Sequence, residues 1–200
     1  MTDQPLVLRQ RDARGVVTLT LNRPDAFNAL SESLLDALQT ELHAVADDPT
    51  ARVVVIGAAG KAFCAGHDLK EMRAEPSLGY YERLFAHCAR MMLAIQKLPV
   101  PVIARVQGTA TAAGCQLVAM CDLAVAVQEA RFAVSGVNLG LFCSTPLTAK
   151  RASCTATARS HIATSWQPAA VAVPWTRAIT GTGSFWIASI MRAQCANSFS

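Results

Sequence analysis

Hydrophobic and polar positions change their period several times along the first two thirds of this chain, and each change marks an element. Leu6–Gln10 reads as a short strand, and Asp12-Ala13-Arg14-Gly15 as the turn after it. Val16–Leu21 (VVTLTL) alternates apolar and hydroxyl-bearing residues, which predicts the return strand of a hairpin. Asn22-Arg23-Pro24-Asp25 breaks that strand. The period then switches to 3.6: from Ser31 to about Asp47, Leu34, Leu35, Leu38, Leu42 and Val45 fall on one helical face, with His43 beside it as a partly exposed surface histidine. Val53–Gly57 is a continuous apolar run, as a buried strand requires. Tyr80–Leu98 is a second amphipathic helix lined by Leu84, Phe85, Cys88, Met91, Met92 and Ile95, with the two methionines as core filler. Lys97-Leu98-Pro99-Val100-Pro101 stops it, and Val102–Val106 repeats the buried-strand pattern. Leu123–Val127 and Arg131–Val134 are two further short strands. Strands alternating with helices predict an α/β fold with parallel pairing.

Two stretches stand out against this pattern. Ala62–Met72 (AFCAGHDLKEM) and Gln107–Cys121 (QGTATAAGCQLVAMC) are small-residue loops that run into helices, each just after a buried strand. Small residues let a ligand approach the backbone, and a helix start leaves N–H groups unpaired with partial positive charge. Two such corners facing one another form a cradle for one oxygen, an oxyanion hole. Each corner alone is equally well an ordinary strand-to-helix turn. Asp68 reads first as the N-cap of the helix that Leu69 opens.

Three motifs in register, LNRPDAFNAL, AFCAGHDL and GTATAAGCQLVAMCDLAVA, resemble the enoyl-CoA hydratase/isomerase (crotonase) superfamily. The similarity runs from Leu6 to Pro146. It implies a crotonase-like spiral of repeated ββα units over residues 1–146. It also implies an acyl-CoA substrate, no separate cofactor because coenzyme A is part of that substrate, and assembly into trimers or hexamers. By the same resemblance the oxyanion donors are the N–H groups of Ala65 and Ala113, with Gly66, His67 and Asp68 completing the first wall. Arg23, Asp25, Ala26 and Ala62 match positions around the nucleotide. Lys61, Lys70 and Arg73 are phosphate partners on charge alone.

The resemblance also exposes two departures. The glutamates that act as general acid and base in a family hydratase correspond to Gln116 and Gly136, and neither residue titrates. Acid–base catalysis contributes ~10²–10⁴-fold, so hydration itself is doubtful from sequence. His67 is a substitute candidate, with an ordinary pKa suited to proton transfer near neutrality. Ser135, Asn138, Ser144 and Thr145 are polar but have no His/Asp partner in sequence. Three readings stay open: an enzyme relying on enolate stabilisation, a non-catalytic acyl-CoA-binding or regulatory module, and a non-functional truncated product.

Composition changes the picture mainly at the C-terminus. Residues 1–146 hold 13 Lys/Arg and 14 Asp/Glu (13 − 14 = −1), whereas residues 147–200 hold 5 and none (+5), which together give the net +4. The basic balance therefore belongs to the tail and is no argument for nucleic acid. An acid-free segment with all three Trp does not resemble the family, and 147–200 reads as a non-homologous, frameshifted or poorly ordered tail that replaces the family's C-terminal helical part. Seven Cys without CxxC or Cys/His spacing give no metal site and, with no leader visible at MTDQPLVL, point to a reducing compartment, taken as the cytoplasm. No apolar run reaches eighteen residues, so no membrane span is expected.

Overall fold

The computed structural model describes residues 4–133 and the strand Phe185–Ala188. Among the described residues the strands are β1 (Val7–Arg11), β2 (Val16–Leu21), β3 (Val53–Ala58), β4 (Ala62–Cys64), β5 (Val102–Val106), β6 (Thr109–Thr111), β7 (Leu123–Val127), β8 (Arg131–Ala133) and β9 (Phe185–Ala188). The α-helices that join them are α1 (Glu32–Ala46), α2 (Leu69–Ala74), α3 (Leu78–Lys97) and α4 (Ala113–Met120). The strands form two sheets, one of order β1-β2-β3-β5-β7-β9 and one of order β4-β6-β8. From β3 onward each repeat places one strand in the large sheet and the next in the small one. That is the α/β spiral of ββα units that the resemblance implies.

The β1–β2 hairpin is antiparallel, with Val7 opposite Leu21, and its turn is fixed by Asp12, whose side chain accepts the Arg14 and Val16 N–H groups at 2.9 Å each. Every later pair up to β8 is parallel: β2 with β3, β3 with β5, β5 with β7, and β4-β6-β8 in the small sheet. The helical crossovers dictate this, since a parallel neighbour is reached only after the chain has returned along the sheet. The strand Phe185–Ala188, the one described part of the expected tail, pairs antiparallel with β7. The rest of that tail, and the domain boundary expected at residue 146, lie outside the described residues.

One face of the large sheet is the core. Val17, Leu19 and Leu21 of β2, Val54 and Ile56 of β3, and Val102 and Ala104 of β5 are buried against Leu34, Leu35, Leu38 and Leu42 of α1 and Leu84, Met91, Met92 and Ile95 of α3. The alternation read in the sequence is thus the inside–outside alternation of the sheet, and each fully buried aliphatic side chain contributes about 1.5–3 kcal/mol. Ser31 caps α1 by accepting the Leu34 N–H at 3.1 Å. His43 is exposed and lies 2.8 Å from Gln39, as a surface histidine should. Among the described residues no helix is long and apolar enough to cross a membrane.

Two corrections concern local structure. The stretches read as loops contain three-residue strands, β4 and β6; they are too short and too rich in Ala, Cys and Thr to show a period. Phe85, expected in the core face of α3, is 38% exposed. It turns away from the sheet toward His67, with ring centroids 5.3 Å apart and planes at 73°.

Candidate active site

β4 and β6 are parallel neighbours, with Ala62 opposite Thr109 and Cys64 opposite Ala110. Each ends in a backbone reversal and then a helix, so the two corners lie side by side. On the β4 side Gly66 carries the reversal at φ 92°. On the β6 side it falls on Ala112, at φ 47° and ψ −118°. Ala113 itself is the first residue of α4, and its predecessor carries the unusual backbone. A Cβ placed at Gly66 would stand 3.1 Å from the Ala112 side chain and 3.5 Å from the Ala113 nitrogen. The Thr111 hydroxyl donates to the Ala65 carbonyl at 2.9 Å and closes the seam.

A non-glycine residue at positive φ costs about 1–3 kcal/mol. Ala112→Gly is therefore expected to stabilise the protein by about 1 kcal/mol, after subtracting the extra freedom of glycine in the unfolded chain. Urea denaturation checks it; an unchanged or lower midpoint would show that Ala112 is not strained.

The first expected donor is corrected. The Ala65 N–H is already committed, donating to the Phe27 carbonyl at 3.1 Å. The Asp68 N–H donates to the Leu30 carbonyl at 3.1 Å. Between them, His67 bridges to Leu30 as if in a parallel strand pair. In such a pair the flanking residues make the bonds and the bridging residue's own N–H faces the other way. The His67 N–H and the Ala113 N–H have no hydrogen-bond partner among the described residues. These two, rather than Ala65 and Ala113, are the N–H groups left unbonded at the adjoining corners among the described residues.

The other candidates divide into those the fold gathers and those it does not. Arg23 and Asp68 are joined to each other, 2.6 Å apart, and Arg23 also donates to the Ala29 carbonyl at 3.1 Å. Asp68 caps α2 by accepting the Lys70 N–H at 2.9 Å, as expected. Burial alone would raise its pKa; the Arg23 guanidinium and the Lys70 N–H outweigh that and hold it below the ordinary carboxylate value. Asp25 and Ala26 sit in a single 3₁₀ turn, Pro24–Ala26, beside this loop. Asp25 is exposed, and Ala62 is buried in β4. Lys61, Lys70 and Arg73 are exposed. Gln116 is buried on α4, one turn from Ala113. Gly136, Ser135, Asn138, Ser144 and Thr145 lie outside the described residues.

His67 does not have the pKa expected of it. Burial pushes it down to about 4, and its Nδ1 is buried with no partner among the described residues. At neutral pH the ring is an uncharged and weak base, so proton transfer by an imidazole poised near 7 is withdrawn. The buried thiols of Cys64 and Cys88 are pushed up to about 12 by loss of solvent, which leaves them as unreactive core groups.

Sequence reading missed the residues that shape the loop under the first corner. Phe27 and Asn28 both adopt positive φ, 50° and 53°. Asn28 is fully buried and both its side-chain polar atoms are bonded within the protein. The signal was available: asparagine tolerates the left-handed conformation better than most residues, and it follows a Pro-Asp turn.

A spiral of ββα repeats with two unbonded N–H groups at adjoining corners, one just before the cap of α2 and one at the start of α4, is a crotonase-type architecture. The enoyl-CoA hydratase/isomerase family model matches residues 11–162, and the chain belongs to that family. It is 51% identical, over 71% of its length and 48% of the relative's, to the enoyl-CoA hydratase domain-containing protein 3 of Xenopus laevis. It superposes on the crystal structure of an enoyl-CoA hydratase of Mycobacterium smegmatis with TM-score 0.69 and 72% identity, over 72% of this chain and 56% of that one. The crystal structure of human enoyl-CoA hydratase domain-containing protein 3 gives TM-score 0.65 at 45% identity, over 72% and 56%. The chain spans about half the length of the curated relatives it matches. The cytoplasmic expectation is overturned: the domain-containing protein 3 relatives, from frog to human, are named mitochondrial.

Proposed function

We propose that this protein binds an acyl-CoA thioester and polarises its carbonyl between the His67 and Ala113 N–H groups. The observation that carries the reading is that these two N–H groups lack partners among the described residues at adjoining corners, Gly66 being packed against Ala112 and Ala113. Fixed donors act on charge that grows on the oxygen, as an enolate forms or a nucleophile adds, without having to reorganise. Removing one such donor typically costs ~3–4 kcal/mol in the transition state. The ring of Phe85, against His67, gives the seam an apolar wall suited to an acyl chain.

The acid–base half of hydration has no support in these residues. Gln116 holds a position where family hydratases carry glutamate, and an amide does not titrate. Gly136 offers no side chain at the other. The neutral ring of His67 is too weak a base to replace them near pH 7. This favours a second reading within the same site: acyl-CoA binding without hydration. For the whole protein the same family likeness supports assembly into trimers or hexamers.

Titration with crotonyl-CoA separates the readings, with heat of binding and the absorbance of the enoyl thioester followed together. Saturable binding with an unchanged absorbance is the expected result, and it supports recognition without hydration. Binding with loss of the enoyl signal would establish turnover and overturn the second reading. Absence of binding by the folded protein would overturn the proposal.

A further inference from the structure

The corner that carries the His67 N–H does not hold its own shape. Residues 22–30 clamp it from the side facing away from Ala113. Asn28 Nδ2 donates to the Ala62 carbonyl at 2.9 Å and to the Ala59 carbonyl at 2.8 Å, while its Oδ1 accepts the Arg23 N–H at 2.9 Å. One side chain thereby ties its own loop to the β3–β4 turn and to the first residue of β4. The backbone next to it continues the connection. Phe27 accepts the Ala65 N–H, Leu30 donates to the Gly66 carbonyl at 2.7 Å, and Leu30 accepts the Asp68 N–H. The Arg23–Asp68 pair closes the far end at 2.6 Å.

This pairing has a directional result. Because Leu30 bridges to His67, the N–H groups of residues 65 and 68 turn toward the clamp and that of residue 67 turns away from it. A slip of one residue in the pairing would reverse that direction, as it reverses every group in a strand. We propose that Asn28 is a positioning residue for the oxygen-holding corner: its three hydrogen bonds set the register of 27–30 on 65–68, and that register aims the His67 N–H at the seam. The inference rests on the acyl-thioester reading above.

The test uses crotonyl-CoA carrying ¹³C at the thioester carbonyl, observed by difference infrared spectroscopy on the folded protein. Two variants keep the loop in different ways. Asn28→Gly retains the left-handed backbone and removes all three side-chain bonds; Asn28→Asp retains the acceptor for Arg23 and removes the two donated bonds. Wild-type protein is expected to lower the carbonyl stretch. Both variants are expected to lose at least half of that lowering and to bind crotonyl-CoA roughly tenfold more weakly, with affinity for free coenzyme A unchanged. Full lowering in either variant, or an equal loss of affinity for both ligands, overturns the positioning role. If neither variant folds, amide hydrogen exchange on the wild type decides. Slow exchange at Ala65 and Asp68 with fast exchange at His67 supports the clamp, and a protected His67 amide overturns it. A wild type that binds crotonyl-CoA with no lowering overturns the thioester reading instead, which keeps the two failures distinct.

Discussion

Gly114→Ala is expected to lose at least about 3 kcal/mol of stability, at or beyond the upper end for overpacking a tight core. A Cβ at Gly114 runs into the Cys64 carbonyl oxygen, with the Cys64 carbonyl carbon and Cβ also only 2.9 Å away. Both partners are fixed. Cys64 is in the small sheet, and the oxygen belongs to backbone, so α4 itself must move off β4. Ala113 moves with it, and the seam opens. The urea midpoint should fall sharply, and the fraction that stays folded should no longer bind crotonyl-CoA. Gly79→Ala is the matched control. It sits in the first turn of α3 with only the tip of Arg83, at 3.6 Å, nearby, so alanine should add up to about 1 kcal/mol through helix propensity. A Gly114→Ala protein within about 0.5 kcal/mol of wild type, the ordinary range of a surface substitution, would show that the helix does not approach the strand this closely.

The second large effect is a dependence on pH. His67 is held neutral by burial, with a pKa of about 4 against 6.5 for an exposed histidine. The unfolded chain therefore takes up a proton on this residue first as pH falls, and the folded state is penalised. Stability from this source is complete above about pH 6.5 and is lost progressively between 6.5 and 4. A tenfold difference in proton affinity between the folded and unfolded chain corresponds to about 1.36 kcal/mol, and partial exposure of the ring reduces the total to on the order of 2 kcal/mol. His67→Gln removes the titration. Wild type and variant compared in urea at pH 7 and pH 4.5 should differ in slope by most of one proton. Carboxylates with lowered pKa values, such as Asp68 and Asp12, lose their contribution at still lower pH and leave this window clear. Parallel slopes would mean that the His67 ring is solvated.

Much of the fold was legible because burial leaves a period. β2, β5 and β7 were read with their observed bounds, Val16–Leu21, Val102–Val106 and Leu123–Val127, and α1 with its start at Ser31. The strands β4 and β6 were not, since three residues are fewer than two repeats of any alternation. The candidate site was legible at the level of motif: Gly66, His67, Asp68 and Ala113 do come together. Which N–H is available was not legible, because it depends on what Phe27 and Leu30 do forty residues earlier. The pairing of Arg23 with Asp68 was hidden for the same reason. Arg23 reads in sequence as a contact to the nucleotide and Asp68 as an N-cap, and in the fold each is also the other's partner. The histidine misled through its surroundings, since a sequence shows the residue and not the solvent removed from it.

The repeat architecture has a metric consequence. The His67 and Ala113 N–H groups occupy equivalent places in successive repeats, one just beyond β4 and one just beyond β6, on strands that are direct neighbours. Neighbouring strands lie about 4.8 Å apart. An oxygen that accepts two N–H groups, each at about 2.9 Å, sits at the apex of a triangle whose base is roughly the same 4.8 Å. On the proposed reading, the strand spacing of the sheet would by itself set a width suited to one oxygen atom. The width would then come from the backbone of the sheet, and the Asn28 side chain would set only the direction in which one of the two donors points.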